Sequence, residues 1–470
     1  MQWTSTVIEK IAKIFRLKTS ERLWMDGLDS WRLWPEKDQE GIREMYKLLK
    51  FCYDDLDDPH RQKCFLYCAL YPENEEICMD RLLECWAAEE LLNNGQFTTD
   101  MQVIMSGDSI LSHLKNVSLL EEGQVENHVK MHKFMRQVAL FISEIDDECK
   151  HMVRTSNALQ KPPDVNFWSE MIRISLGDNN LDQLPNSPKC AMLSTLFLQK
   201  NLNLKEIPRL FFEHMGNLKV LDLSHTGIKL LPKSMSTLSN LIILYLNNCE
   251  HLTKLPLHIT KLGKLEALDI QGSGINNIPP HVEKLICLRR LRVSFKSRNP
   301  NASHEVDFNH RIISKLCKLE ELVIEVKSPE QWSHDVQENI IKQAAKLEEL
   351  QALWFYFPNE TANVIEVAKS SRGTCVGLHA RICEATMINS FLEDNQLLNL
   401  KRIESFLLFI GCKDSEYKKF SKFDRYVKYV KYCNGTGRDF LIGKLLLECE
   451  AFELVNHSDI TKLSDIEVAN

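Results

Sequence analysis

Side chains capable of chemistry are plentiful in these 470 residues, but few stand at the spacings that chemistry requires. Both Gly-Lys pairs, at Gly263 and Gly443, are followed by Leu, so no G-x-x-x-x-G-K-[ST] loop exists to cradle phosphates and hold Mg²⁺. Cys64 and Cys68 stand four apart in an apolar segment, and no CxxC pair occurs among the fifteen cysteines. That pattern reads as buried free thiols of a reducing compartment in preference to zinc ligands or disulfides. Histidines, serines and carboxylates are scattered, with no nucleophile elbow, metal-ligand spacing or Gly-rich turn. The expectation is therefore no catalytic residues, no metal and no enzyme activity. The tract 412–433 mixes Lys and Arg with Tyr417, Phe420, Phe423, Tyr426 and Tyr429. It reads either as a nucleic-acid patch or as an amphipathic edge. The net charge of -7 and the interspersed acids favour the edge and argue against nucleic acid as a partner.

A different kind of chemistry, protein recognition, fits residues that stand between regularly spaced leucines. The set is Lys219, Asp222 and Ser224; Tyr245 and Asn247; Glu266, Asp269 and Gln271; and Arg289, Arg290 and Arg292. Their positions follow from LSTLFL at Leu193, LKVLDL at Leu218, LIILYL at Leu241, LEALDI at Leu265 and LRRLRV at Leu288, a period of 23 to 25 residues. An earlier copy, RISLGDNNLDQLP, starts near Arg173. Leucines two apart on a short strand point to one side, and one repeat cannot bury that side alone. Stacking therefore predicts a parallel-sheet horseshoe of the leucine-rich-repeat type, with an internal leucine ladder and the intervening residues on its concave face. Asn201, Cys249 and Gly272 occupy or neighbour the turn after each strand. The pairs Ile207-Pro208, Leu231-Pro232, Leu255-Pro256 and Ile278-Pro279 predict an irregular convex return. After Phe295 the period degrades, with further strands expected at LEELVIEV, LEELQALWFYFP and LLNLKRIESFLLFIGC.

Upstream, residues 39–145 read as a small helical module. RQKCFLYCALYPE is an apolar helix stopped by Pro72. MDRLLECWAAEELL places Met79, Leu82, Leu83, Trp86, Ala87 and Leu91 on one face, and KFMRQVALFISEI places Phe134, Val138, Phe141 and Ile142 on another. LLEEGQVENHVKMH predicts a hairpin turning near Gly123. Helices plus a hairpin describe a winged helix, and its acids (Glu89, Glu90, Glu121, Glu122, Glu126) suit packing on protein better than binding DNA. The amphipathic segment around Ile8, Ile11 and Phe15 is no secretory signal, and no run of eighteen apolar residues predicts a membrane span. Together these point to a cytoplasmic protein.

The run LKFCYDDLDDPHRQKCFLYCALYPENEEICMDRLLECWAAEELL, with Val129-Lys130-Met131-His132, closely resembles plant nucleotide-binding leucine-rich-repeat disease-resistance proteins. LWMDGLDSWRLWPEKDQEG resembles the end of their helical ARC1 subdomain. The resemblance implies an α/β chain: residues 1–38 as an ARC1 remnant, 39–145 as a winged-helix ARC2-like domain, 146–168 as a linker and 169–470 as repeats. It implies a role in innate immunity, with a pathogen effector or host guard protein as partner, and possibly a full-length receptor. The missing phosphate-binding loop suggests a truncated form acting as decoy or adaptor. Alternatives are a degenerate fragment, or a switch with residual ADP binding. Full-length members use ADP or ATP; with the loop gone, no cofactor is expected here. In the family the histidine matching His132 contacts the ADP phosphate. Here Lys133 follows where the family has aspartate, and a purely structural histidine at a strand–helix junction is an equal alternative.

Overall fold

A computed structural model describes residues 53–92, 100–125, 127–146, 149–275, 277–295 and 309–326, parts of 339–350, and strands at 352–357, 377–382, 405–410, 428–433 and 451–455. The expected helix around Ile8 and the ARC1 remnant lie outside the described residues. The chain divides into two compact units, one of residues 1–201 with 217–221, the other of 202–216 with 222–470.

In the first unit, helix α1 (Pro59–Cys68) begins where Asp58 accepts a hydrogen bond from the His60 N–H at 2.9 Å, with Pro59 at the first helical position. Both features satisfy an N-terminus that otherwise leaves donors orphaned. Strand β1 (Ile77–Cys78) leads into α2 (Met79–Ala88), followed by α3 (Asp100–Asn116). The hairpin of β2 (Glu121–Glu122) and β3 (His128–Lys130) is antiparallel, and β1 adds to its far side in the order β1-β3-β2. Helix α4 (Lys133–Ile145) completes the winged helix. Two predicted faces shift. Ala87 is exposed while Glu84, Cys85 and Ala88 are buried, and Phe141 is 45% exposed while Met135 and Ala139 join Val138 and Ile142 inside. α2 is buried over more than one stripe, so its pattern under-reports the inner residues. The side chain of Phe134 lies outside the described residues.

The same unit contains β4 (His151–Val153), β5 (Arg173–Ser175) and β6 (Thr195–Phe197), paired in parallel register. The segment 146–168, expected to be a linker, thus carries the first strand of the sheet. His151, Met152 and Val153 are buried because His151 aligns with Arg173 and Val153 with Ser175, so the stack starts one strand before the first leucine motif.

Strand β7 (Val220–Asp222) is followed in the second unit by β8 (Ile243–Tyr245), β9 (Ala267–Asp269), β10 (Arg290–Phe295) and β11 (Glu321–Val326). Then come β12 (Ala352–Phe357), β13 (Gly377–Ile382), β14 (Ser405–Ile410), β15 (Lys428–Cys433) and β16 (Ala451–Val455). From β8 onward each strand pairs in parallel with the next. The predicted ladder is the core: Leu218, Leu221, Leu223, Leu241, Leu244, Leu246, Leu265, Leu268, Ile270, Leu288, Leu291 and Val293 are all buried. The convex return is more regular than the Pro pairs suggested. Short 3₁₀ helices at Lys233–Thr237, Leu257–Lys261 and Pro280–Lys284 each follow Pro232, Pro256 or Pro279 at the cap. Proline fixes φ for the cap, and its carbonyl accepts the first i→i+3 bond, from the N–H of Met235, Ile259 or Val282.

Candidate protein-binding face

The leucine ladder stays inward because each turn after a strand is built the same way. Asp178, Lys200, His225, Asn248 and Gly272 all have positive φ, from 55 to 67°. Each is followed by a buried polar residue that bonds the backbone. Asn179 and Asn201 donate to Leu176 O, and Asn201 Oδ1 accepts from the Leu181 N–H at 3.1 Å. Thr226, Cys249 and Ser273 donate to Leu223 O, Leu223 O and Ile270 O. The predicted turn residues Asn201 and Cys249 stand on this ladder, whereas Gly272 is the positive-φ residue beside it. At Gly272 a Cβ would collide with the Asn248 side chain.

With the ladder fixed, the alternate positions of the strands form the opposite face. The candidate residues do not share one environment there. Asp222, Ser224 and Asp269 are buried, and Tyr245 is only 1% exposed. Asp222 and Asp269 turn their carboxylates back on the chain, accepting from the N–H of Ser224 at 2.8 Å and of Gln271 at 3.0 Å. That bond ends the strand, so these acids act in shaping the turn rather than as open contacts. Asn247, Glu266, Gln271, Arg289, Arg290 and Arg292 are half-buried and remain accessible. Lys219, in the first unit, reaches Glu90 at 2.9 Å.

Charge on the accessible face is organised in register. Arg292 donates to Glu321 at 2.6 Å, and Arg289 is held by Glu320, with Glu266 at 3.8 Å. Burial raises the Glu266 pKa above the ordinary value, Arg290 pulls it down and Glu320 raises it again. Among the described residues the face is thus a mixed surface of guanidinium and carboxylate groups, suited to polar contact. Among the described residues no group of His, Cys, Asp and Glu has the arrangement of a metal site. Cys64 and Cys68 are free and buried, and burial pushes both thiols up, away from thiolate chemistry. No described helix is long and apolar enough to cross a membrane. His132 sits half-buried between β3 and α4, its carbonyl accepting from the Arg136 N–H at 3.0 Å.

One cluster escaped sequence reasoning. Glu89, at the end of α2, is buried and accepts from Arg173 Nη2 at 2.6 Å and Nε at 3.1 Å, from Ser194 at 3.1 Å and from Thr195. Arg173 also lies 5.4 Å from the centre of the Tyr67 ring and bonds His151 Nε2 at 3.2 Å. Burial and Arg173 hold His151 well below its usual pKa. The winged helix and the first strands of the sheet are therefore packed through buried polar groups within one unit. In the sequence Glu89 stood with Glu90, Glu121, Glu122 and Glu126 among the acids read as suited to packing on protein, and nothing set it apart as the buried one.

The leucine-rich repeat region model matches residues 174–414, and the disease resistance protein winged helix domain model matches residues 70–139. Disease resistance protein At4g27190 of Arabidopsis thaliana is 32% identical over 350 residues, covering 73% of this chain and 34% of that protein. Disease resistance protein UNI, from the same plant, is 30% identical, covering 68% of this chain and 35% of its own length. Disease resistance protein RFL1 is 35% identical, covering 53% and 28%. The chain spans about a third of the length of these curated relatives.

Proposed function

Because the chain belongs to the plant leucine-rich-repeat disease-resistance family, we propose that it serves in plant defence by recognising another protein on the open face of its parallel strands. The observation that carries this reading is the division of each strand. Every ladder residue from Leu241 to Val293 is buried, while Asn247, Gln271, Arg290 and Arg292 stand half-exposed on the alternate positions. An extended, mixed-polarity surface of this kind suits a macromolecular partner and offers no catalytic constellation. The partner is a pathogen effector or a guarded host protein, and the setting is the cytoplasm, consistent with the buried free thiols.

Site-specific photocrosslinking in infected plant tissue tests it. A benzophenone side chain at Asn247 or Gln271 should yield protein adducts, and one at Lys233, exposed on the 3₁₀ side, should not. Adducts from Lys233 alone sink the reading.

A further inference from the structure

We propose that the 3₁₀ side of the repeats that begin at β7 and β8 docks on an anionic membrane surface. This is a second contact, made away from the strand face, and it does not depend on the recognition role. In a chain of net charge -7, residues 227–264 carry five lysines, Lys229, Lys233, Lys254, Lys261 and Lys264, against one carboxylate, Glu250. All five lysines are exposed. Among the described residues none of them forms an ion pair, and Lys264 donates to the neutral Asn240 Oδ1 at 2.8 Å. Lysines of the first unit differ, since Lys115, Lys200 and Lys219 each reach a carboxylate.

Apolar residues stand among these lysines in a fixed arrangement. Leu230 lies two residues before Pro232, and Lys233 directly follows it. In the next repeat Lys254 and Leu257 hold the same two places around Pro256. Pro232 has φ -72° and ψ 154°, and Pro256 has φ -74° and ψ 155°. That is the polyproline conformation, in which residues three apart project to one side. Leu230 therefore faces the same way as Lys233, and Lys254 the same way as Leu257. One repeat step sets Leu230 beside Lys254 and Lys233 beside Leu257, so leucine and lysine alternate in both directions. Leu230 is 69% exposed and Leu257 65%, while Leu231 and Leu255 next to them are buried in the core. A protein partner fits this pattern poorly, because protein interfaces are depleted in lysine and their hot spots favour Trp, Tyr and Arg over leucine. Single-stranded nucleic acid calls for aromatic platforms, and the apolar residues here are aliphatic. A bilayer interface rewards both features at once: ammonium groups meet anionic headgroups while leucines enter the acyl boundary.

Flotation of the whole chain with phosphatidylcholine vesicles, with and without phosphatidylserine, is the test. The chain should float with the phosphatidylserine vesicles, stay behind with phosphatidylcholine alone, and be released as salt rises. Lys233→Glu with Lys254→Glu should lower partitioning by about twenty-fold or more, because each lysine near such a surface contributes about five-fold. Leu230→Ser with Leu257→Ser should lower it by about ten-fold at unchanged charge, through lost apolar burial. Lys161→Glu with Lys189→Glu, an equal charge change on exposed lysines of the first unit, should cost far less than the Lys233 and Lys254 pair. All six positions are exposed, and matching thermal melts establish that the variants fold. Should a melt shift, the salt and lipid series on the unaltered chain decides. Equal flotation with both lipids, or none with either, overturns the proposal. So does a loss within about two-fold for either pair of the patch, or an equal loss for Lys161 and Lys189. Tighter binding of the chain to an oligothymidylate or to polyglutamate than to the vesicles also overturns it, and assigns the lysines to nucleic acid or to an acidic protein. Loss of the adducts at Asn247 and Gln271 with flotation retained removes the recognition role alone.

Discussion

Arg173→Met, read by urea unfolding, tests whether the polar cluster joining α2 to β5 and β6 holds the first unit together. The Glu89 and Arg173 side chains are 4% and 7% exposed, so water cannot replace a lost partner. Methionine keeps much of the arginine stem's volume, which limits the packing loss. It leaves the Glu89 carboxylate with only the Ser194 and Thr195 hydroxyls among the contacts described above. Removing one member of a buried ion pair costs about 3–5 kcal/mol, because a charge is stranded away from solvent. Glu89→Gln should cost less, about 1.5–3 kcal/mol, since the amide oxygen still accepts from the guanidinium and only the charge assistance is lost. Glu89→Leu with Arg173→Met strands neither charge and should be milder than the sum of its single changes by at least ~2 kcal/mol. Trp86 and Trp168 are buried in the same unit, so their fluorescence reports its unfolding. A cost below ~1 kcal/mol for Arg173→Met, or strict additivity in the cycle, refutes the reasoning: the pair would then be a tolerated neighbour contact rather than a joint.

His151 should make the first unit acid-sensitive. Its folded pKa is held far down by burial and Arg173, so the native state binds fewer protons than the unfolded chain, and stability is lost as pH falls below ~6.5. His151→Phe should flatten that slope in urea titrations at stepped pH. Asp108 acts with the opposite sign. Burial, then Asp80, raises its pKa to about 6, so stability is gained as pH falls from 7 towards 4. Asp108→Asn should therefore raise the unfolding free energy at pH 7.5 by on the order of 1 kcal/mol, once solvent screening of this half-buried group is allowed for. Asn201→Ala should cost about 2 kcal/mol in the same assay, because the Leu181 N–H loses its acceptor and the Leu198 carbonyl this donor, while Leu176 O keeps the bond from Asn179.

Much of this fold was legible because the repeat is its own internal check. A residue two positions from a ladder leucine must share its side, and that predicted Leu221 with Leu223 and Leu244 with Leu246 without any long-range information. The winged helix was legible as elements but not as faces, since a helix buried on several sides no longer shows a 3.6-residue stripe. β4 was missed because His151-Met152-Val153 contains no leucine motif; it is a strand because Arg173-Ile174-Ser175 needs a neighbour. β13 and β16 were missed for the same reason, GLHARI and AFELV having no L-x-x-L-x-L pattern. Of the candidate face, exposure was the illegible part. Sequence alternation identified which positions oppose the ladder, but it could not show that Asp222 and Asp269 fold back onto Ser224 and Gln271.

That last difference bears on how such a face diversifies. Asp222 and Asp269 occur at the same place two repeats apart, and each ties its own strand end, so replacing either disturbs a turn before it alters a contact. Arg289 and Arg292 pair instead with the side chains of Glu320 and Glu321. Selection on partner binding can therefore move them while the ladder and the positive-φ turns stay in place. Six-residue strands such as β10 and β11 offer one more face position than the three-residue strands β7 to β9. A longer strand widens the face without changing the core beneath it, and specificity is expected to concentrate there.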